Sequence, residues 1–132
     1  MAAVIYLDTH VVAWLYAGRT DLFPALARAL IEGNDLLISP MTGLELQYLY
    51  EIRKTSASAD TVIAALQTAI GLQLCDLPFT EVGRASWKEK WTRDPFDRMI
   101  VAQAKLRGAP LLTKDRTMRR RYKHALWDRP RA

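Results

Sequence analysis

Short apolar runs rich in β-formers alternate along this chain with longer stretches whose apolar residues recur every three or four positions. That alternation predicts an α/β domain with a mainly parallel sheet. The first run, Val4 to Leu7, ends at Asp8; Thr9 then offers an N-cap for a helix carrying Val11, Val12, Trp14 and Leu15, which Gly18 stops. A second helix is predicted from about Phe23 to Ile31, with Pro24 suited to its first turn and Gly33 to its end. Leu36 to Ser39 reads as a strand, Pro40 to about Lys54 as a helix, and Thr55 to Ala59 as a polar connection into a helix ending at Gly71. Leu72 to Leu74 is a short strand closed by Pro78. From Thr80 to about Lys90 an amphipathic helix is expected, capped by Thr80, with Val82, Ala85 and Trp87 supplying apolar surface. The last long helix runs from Asp94 to Arg107 and stops at Gly108. Pro110 to Thr113 is a strand, a basic helical turn follows Asp115, and Ala125 to Trp127 adds an edge strand.

Composition narrows the class. The chain has 132 residues, half of them hydrophobic and a quarter charged, with six Gly and six Pro, which describes an ordinary globule and neither a disordered nor a fibrous chain. Without repeats, low-complexity segments or a visible linker, one domain over residues 1–132 is expected, large enough to bury roughly two-thirds of its unfolded surface. Cys75 is the only cysteine, which excludes a disulfide framework and fits a reducing cytosol. The N-terminus meets Asp8 too soon for a signal peptide, and no stretch approaches the roughly 18 apolar residues of a spanning helix. A soluble, cytoplasmic protein with no membrane partner is the expectation.

Charge placement says more than its sum. Nineteen Lys and Arg against 14 Asp and Glu give +5, but residues 1–60 hold four basic and seven acidic side chains, a net of −3, whereas residues 61–132 hold fifteen and seven, a net of +8. A basic half beside a carboxylate-bearing half suits a polyanionic partner, of which nucleic acid is the commonest; simple solubility is the plainer explanation.

Four places carry carboxylates with unusual positions. Asp8 directly follows the first strand, and Asp115 comes two residues after the Leu111 to Thr113 run; in parallel α/β sheets ligands gather at those carboxyl ends, although an aspartate there also serves as a turn or cap residue. Glu45 falls within the apolar stripe Met41, Leu44, Tyr48, Leu49 and Ile52, where a buried charge needs a metal ion or a basic residue beside it, unless the side chain snorkels to the surface past Leu46 and Tyr50. In Arg93-Asp94-Pro95-Phe96-Asp97-Arg98, Asp94 is a good N-cap and Pro95 a good first helical residue. Capping explains Asp97 less well, because Ile100, Val101 and Ala104 place it on the inward face. Several acids converging on one crevice repel one another unless a cation is present. Mg2+ or Mn2+ suits oxygen donors, and there is no thiolate or His cluster to favour Zn2+. Beside basic surface, such a cluster fits nuclease chemistry on a phosphodiester.

At these residues the sequence resembles a PIN-domain ribonuclease, and within that group the VapC toxins of type II toxin–antitoxin pairs. The matching pieces are Leu7-Asp8-Thr9, Glu45 in the helix after the second strand, Arg93-Asp94-Pro95-Phe96-Asp97-Arg98 leading into Met99 to Ala104, and Leu111-Leu112-Thr113-Lys114-Asp115. The resemblance implies a three-layer α/β/α sandwich with a mainly parallel, roughly five-stranded sheet. It implies a Mg2+- or Mn2+-dependent endoribonuclease in which Asp8, Glu45, Asp97 and Asp115 are the catalytic acidic quartet that holds the metal, Asp8 and Asp97 most directly. Asp94 would touch metal through water or merely cap, and Thr9 and Thr113 match hydroxyl positions that line such sites. Thr92 stands where relatives often carry His. The implied partners are RNA, a cognate antitoxin protein that covers the crevice, and a second copy of the chain.

Other residues are less telling. Arg98, Lys114, Arg116, Arg119 and Arg120 are candidate RNA contacts, and Arg119-Arg120-Arg121 reads equally as a solvated helical turn. His10 and His124 lack ligand-like spacing and read as cap or surface residues. Cys75 reads as a small buried hydrophobe, and Trp14, Trp87, Trp91 and Trp127 as core or dimer interface before base-stacking platforms. A haloacid-dehalogenase-like phosphatase also opens with a strand and Asp, but would want a second Asp where His10 stands. The non-enzymatic alternative is a catalytically silent RNA- or partner-binding module, which should have lost some of the acids.

Overall fold

The computed structural model describes residues 3–128. Strands β1 (Val4–Leu7), β2 (Asp35–Ile38), β3 (Gln73–Leu74), β4 (Leu111–Leu112) and β5 (Ala125–Leu126) form one sheet in the order β3-β2-β1-β4-β5. Every pairing is parallel, with Val4 opposite Asp35, Leu7 opposite Leu112, Ile38 opposite Leu74 and Leu112 opposite Leu126. Parallel neighbours need long crossovers. Seven helices among the described residues supply them: α1 (Thr9–Tyr16), α2 (Ala25–Gly33), α3 (Pro40–Glu51), α4 (Ala59–Ile70), α5 (Phe79–Ser86), α6 (Pro95–Arg107) and α7 (Arg116–Arg121), with a short 3-10 turn at Thr20–Leu22.

The alternation of side chains along β1 divides the interior. Ile5 and Leu7 face one side with Leu36, Ile38 and Leu112, and there meet Val11 and Val12 of α1, Ala27 of α2, Leu46 of α3 and Val62 and Leu66 of α4. Tyr6 and Leu111 face the other side, against Ile100, Val101 and Ala104 of α6 and Met118 of α7. The result is the expected three-layer α/β/α sandwich around a parallel five-stranded sheet. Glycines end two of the long helices: Gly71 and Gly108 adopt φ of +71° and +65°, the left-handed conformation that closes α4 and α6.

Two helices end earlier than their periodicity suggests. Instead of reaching Lys54, α3 stops at Glu51, because Arg53 turns left-handed at φ 63° and the Lys54 amide bonds back to the Leu49 carbonyl. The Thr80 to Lys90 expectation is also too long. Pro78 occupies the cap position of α5, Thr80 lies inside it, and the helix ends at Ser86, whose hydroxyl donates to the Gly83 carbonyl at 2.6 Å. Beyond it the chain must bring Glu89, 5% exposed, to Lys105 Nζ (3.0 Å to both oxygens) and to the Trp91 indole N–H (3.0 Å). Trp87 is thereby left outside the core at 66% exposure, while Val82 packs inward as expected. Cys75 is buried, and its thiol shares a 2.7 Å hydrogen bond with the Tyr6 hydroxyl.

Candidate active site

The strand order reverses between β1 and β4, since the chain winds outward to β2 and β3 on one side and to β4 and β5 on the other. Such a reversal opens a crevice at the carboxyl ends of the two central strands. Leu7 pairs with Leu112, so Asp8 and Thr113 emerge side by side, and the Asp8 amide donates to the Leu112 carbonyl at 3.0 Å.

Asp8 is 4% exposed and fully engaged. Its Oδ1 accepts the Thr9 amide at 2.8 Å, capping α1, while Oδ2 accepts the Thr113 hydroxyl at 2.7 Å and lies 3.3 Å from His10 Nδ1. The cap explanation for Asp8 is therefore correct and incomplete. Thr113, wholly buried, also accepts the Asp115 amide at 3.0 Å, and so couples the two acids that follow β1 and β4. Asp115 Oδ1 caps α7 by accepting the Met118 amide at 2.9 Å.

Two helix starts complete the crevice. Ser39 caps α3 by accepting the Met41 amide at 3.0 Å, which aims the helix so that Glu45 accepts a hydrogen bond from the Thr9 hydroxyl. Glu45 is half-buried and does not snorkel away. At the start of α6, Asp94 Oδ1 accepts the Phe96 and Asp97 amides at 2.8 and 3.2 Å, so this exposed aspartate is a helix cap. An edge-to-face contact between Tyr48 and Phe96, centroids 5.5 Å apart, fastens α3 to α6 next to both Glu45 and Asp97.

Electrostatics register the convergence. Partial burial first, then the charges of Asp94, Asp8, Glu45 and Asp115, push the Asp97 carboxyl up to about 7. Burial likewise raises Glu45, with the Thr9 hydrogen bond opposing it and Asp8 and Asp94 adding to it. The other three predicted quartet members thus all act on Asp97 across the crevice, with Asp94 at its edge. Among the described residues, no three His, Cys, Asp or Glu side chains stand ready-made around a single ion. The donor chemistry nevertheless fits a hard divalent cation: carboxylate and hydroxyl oxygens, partly desolvated, whose mutual repulsion a cation would relieve.

His10, expected to be a cap or surface residue, instead lies partly buried against the crevice. Its Nδ1 faces Asp8 Oδ2, its Nε2 accepts the Lys114 amide at 3.0 Å, and its ring stands edge-on to Trp14 at 4.9 Å and Trp127 at 6.4 Å. Burial holds it below the usual histidine range against the pull of Asp8 and Asp115, so the neutral imidazole bridges the ends of β1 and β4. Its four-residue spacing from Trp14 on α1 was the available signal. Of the proposed RNA contacts, Arg98 is tied to the Thr92 carbonyl at 2.8 Å and Arg119 to the Lys114 carbonyl at 3.1 Å and Asp128 at 3.3 Å. Lys114, Arg116 and Arg120 are exposed; Lys114 Nζ stands 5.7 Å over the Trp14 ring. No helix among the described residues is long and apolar enough to cross a membrane.

Comparison with known proteins follows this geometry. A profile of the PIN domain matches residues 5–124. Ribonuclease VapC22 of Mycobacterium tuberculosis is 27% identical over 116 residues, which make up 87% of this chain and 89% of that protein. In fold, the chain is similar to VapBC2 from Rickettsia felis bound to a promoter DNA fragment (TM-score 0.63, 18% identity, 89% of this chain and 92% of that one). It is also similar to DNA-bound VapBC from Salmonella typhimurium (TM-score 0.61, 21% identity, 94% and 95%).

Proposed function

The chain belongs to the PIN domain family, and we propose that it is a divalent-metal-dependent endoribonuclease, the toxin of a type II toxin–antitoxin pair. The convergence of Asp8, Glu45, Asp97 and Asp115 on one crevice, registered at the Asp97 carboxyl, carries this reading. The name of its ribonuclease relative VapC22 and the fold of the VapBC assemblies support it.

Asp8, Glu45, Asp97 and Asp115 would hold Mg2+ or Mn2+, with Asp94 capping α6 at the rim. When bound, the cation supplies charge neutralisation and polarisation of the phosphodiester. The chain's own part is positional. Thr113 and His10 fix the Asp8 carboxylate, Thr9 fixes Glu45, and Lys114, Arg116 and Arg120 offer cations to the RNA backbone. Hydrolysis by water leaves a 5′-phosphate and a 3′-hydroxyl. Protein partners are an antitoxin and a second copy of the chain. Exposed Leu44, Tyr48 and Ile52 along α3, with Phe79 and Trp87 at α5, offer apolar surface for protein contact.

Cleavage of total cellular RNA by purified protein tests the reading. Asp8→Asn and Asp97→Asn should each abolish cleavage while circular dichroism shows the fold retained, and excess EDTA should stop the wild type. Undiminished cleavage by both variants, or full activity in EDTA, overturns it.

A further inference from the structure

The basic excess after residue 60 is not confined to the crevice. Asp115 caps α7 at the carboxyl end of the sheet, and α7 then runs back toward the start of β5, carrying Arg116, Arg119, Arg120 and Arg121. A depression of about 330 Å3 beside the crevice is lined by Arg116, Arg119, Arg120 and Asp128. Past it lies an open groove of about 530 Å3 lined by Lys105, Arg120, Arg121, Lys123 and His124 around Gly108 and Tyr122. Arg120 lines both, so the two are neighbours along the basic face of α7.

The distal groove is charged out of proportion to its structural needs. The C-termini of α6 and α7 favour a cation or two there, and Lys105 is matched by the Glu89 carboxylate. Arg120, Arg121 and Lys123 are exposed, with no carboxylate partner among the described residues, and no carboxylate is among the residues lining the groove. Arg120 and Arg121 close α7 and Lys123 follows two residues on, so three unmatched cations cluster along one short stretch of chain lining the groove, the kind of surface that binds a phosphate backbone.

We propose that this groove is an extension of the substrate site, in which Arg120, Arg121 and Lys123 track RNA backbone leading away from the bond cut at the crevice. This rests on the ribonuclease reading above. The enzyme's substrate is then an RNA extending well past the scissile bond, and a short oligonucleotide confined to the crevice forgoes part of the binding.

The test uses Arg121→Gln combined with Lys123→Gln. These exposed positions lie outside the crevice, and thermal melting checks the fold. Cleavage of a long single-stranded RNA should show a raised KM with kcat retained, and cleavage of a short oligonucleotide should be unchanged. Anisotropy of labelled long RNA, measured in EDTA over a salt series, should show the slope of log affinity against log salt reduced by about 1.4, at about 0.7 per lost cation. An unchanged KM and slope on long RNA overturns the proposal while leaving the ribonuclease reading intact. Groove-dependent RNA binding without cleavage by wild type is a different failure: the nuclease reading falls, and with it the groove's role in leading RNA away from a cut bond. Loss of binding to poly-glutamate with RNA affinity retained assigns the groove to an acidic protein and also overturns the proposal.

Discussion

Asp97 occupies the first turn of α6, where a carboxylate ordinarily gains from the helix dipole, yet burial and four neighbouring acids hold its proton to about pH 7. The folded chain therefore binds that proton more tightly than the unfolded chain, whose aspartates titrate near about 3.9. Below about pH 4 both states are protonated and Asp97 costs nothing; between about pH 4 and about 7 only the folded chain keeps the proton, so the metal-free protein loses stability across that window and no further above it. Thermal melts in EDTA should show Asp97→Asn more stable than wild type near about pH 8, with the gain gone near about pH 4. Added Mn2+ should raise the wild-type melting temperature at the higher pH and the variant's much less. His10 supplies a second residue-scale expectation. Removing its bridge between Asp8 and the Lys114 amide frees both strand ends, so His10→Ala should weaken Mn2+ binding or cleavage by roughly 10- to 100-fold without unfolding. His10→Asn, which keeps a donor for Asp8, should lose less in calorimetry and in kcat.

Elements aim these side chains, and their ends matter more than their middles. Asp8, Ser39, Asp94 and Asp115 each cap a helix, so three of the crevice acids sit where a cap fixes their backbone. Ser39 is nearly fully buried and caps the helix that carries Glu45; Ser39→Ala should cost about 1 kcal/mol in urea unfolding. Gly108 sits at φ +65° with open space where a Cβ would stand. Gly108→Ala meets no clash, so its cost should be the backbone strain alone, about 1 kcal/mol. A loss several times larger would mean that the end of α6 cannot relax.

At the scale of the molecule, the +5 charge is divided between an acidic crevice and a basic α7, which the proposed reading assigns to cation and RNA respectively. Binding that depends on exposed cations is screened by salt. RNA affinity in EDTA should fall by orders of magnitude between about 50 and about 200 mM salt if six or more phosphates are contacted, and by much less if only the crevice holds RNA. Anisotropy titrations over that range measure the number of contacts directly.

The amino-acid sequence by itself determined the alternation of strands and helices, the Asp94 cap and the inward placement of Glu45 and Asp97, because periodicity, capping and turn chemistry act over a few residues; the caps it suggested at Thr9 and Thr80 fall instead on Asp8 and Pro78. Asp8, Asp97 and the Asp-Pro-Phe-Asp-Arg segment were legible for that reason. The early ends of α3 and α5 were not, since Arg53 adopts a conformation with no glycine to announce it and Glu89 is drawn to Lys105 from sixteen residues away. Nor were the contacts of His10, the Thr113 link from Asp8 to Asp115, or the basic groove beside α7. Each depends on strands β1 and β4 lying side by side, and on α7 folding back beside them, although more than a hundred residues separate Asp8 from Thr113. Only the tertiary structure could decide these, because distant segments become neighbours through burial of the shared core and local sequence does not encode which ones meet.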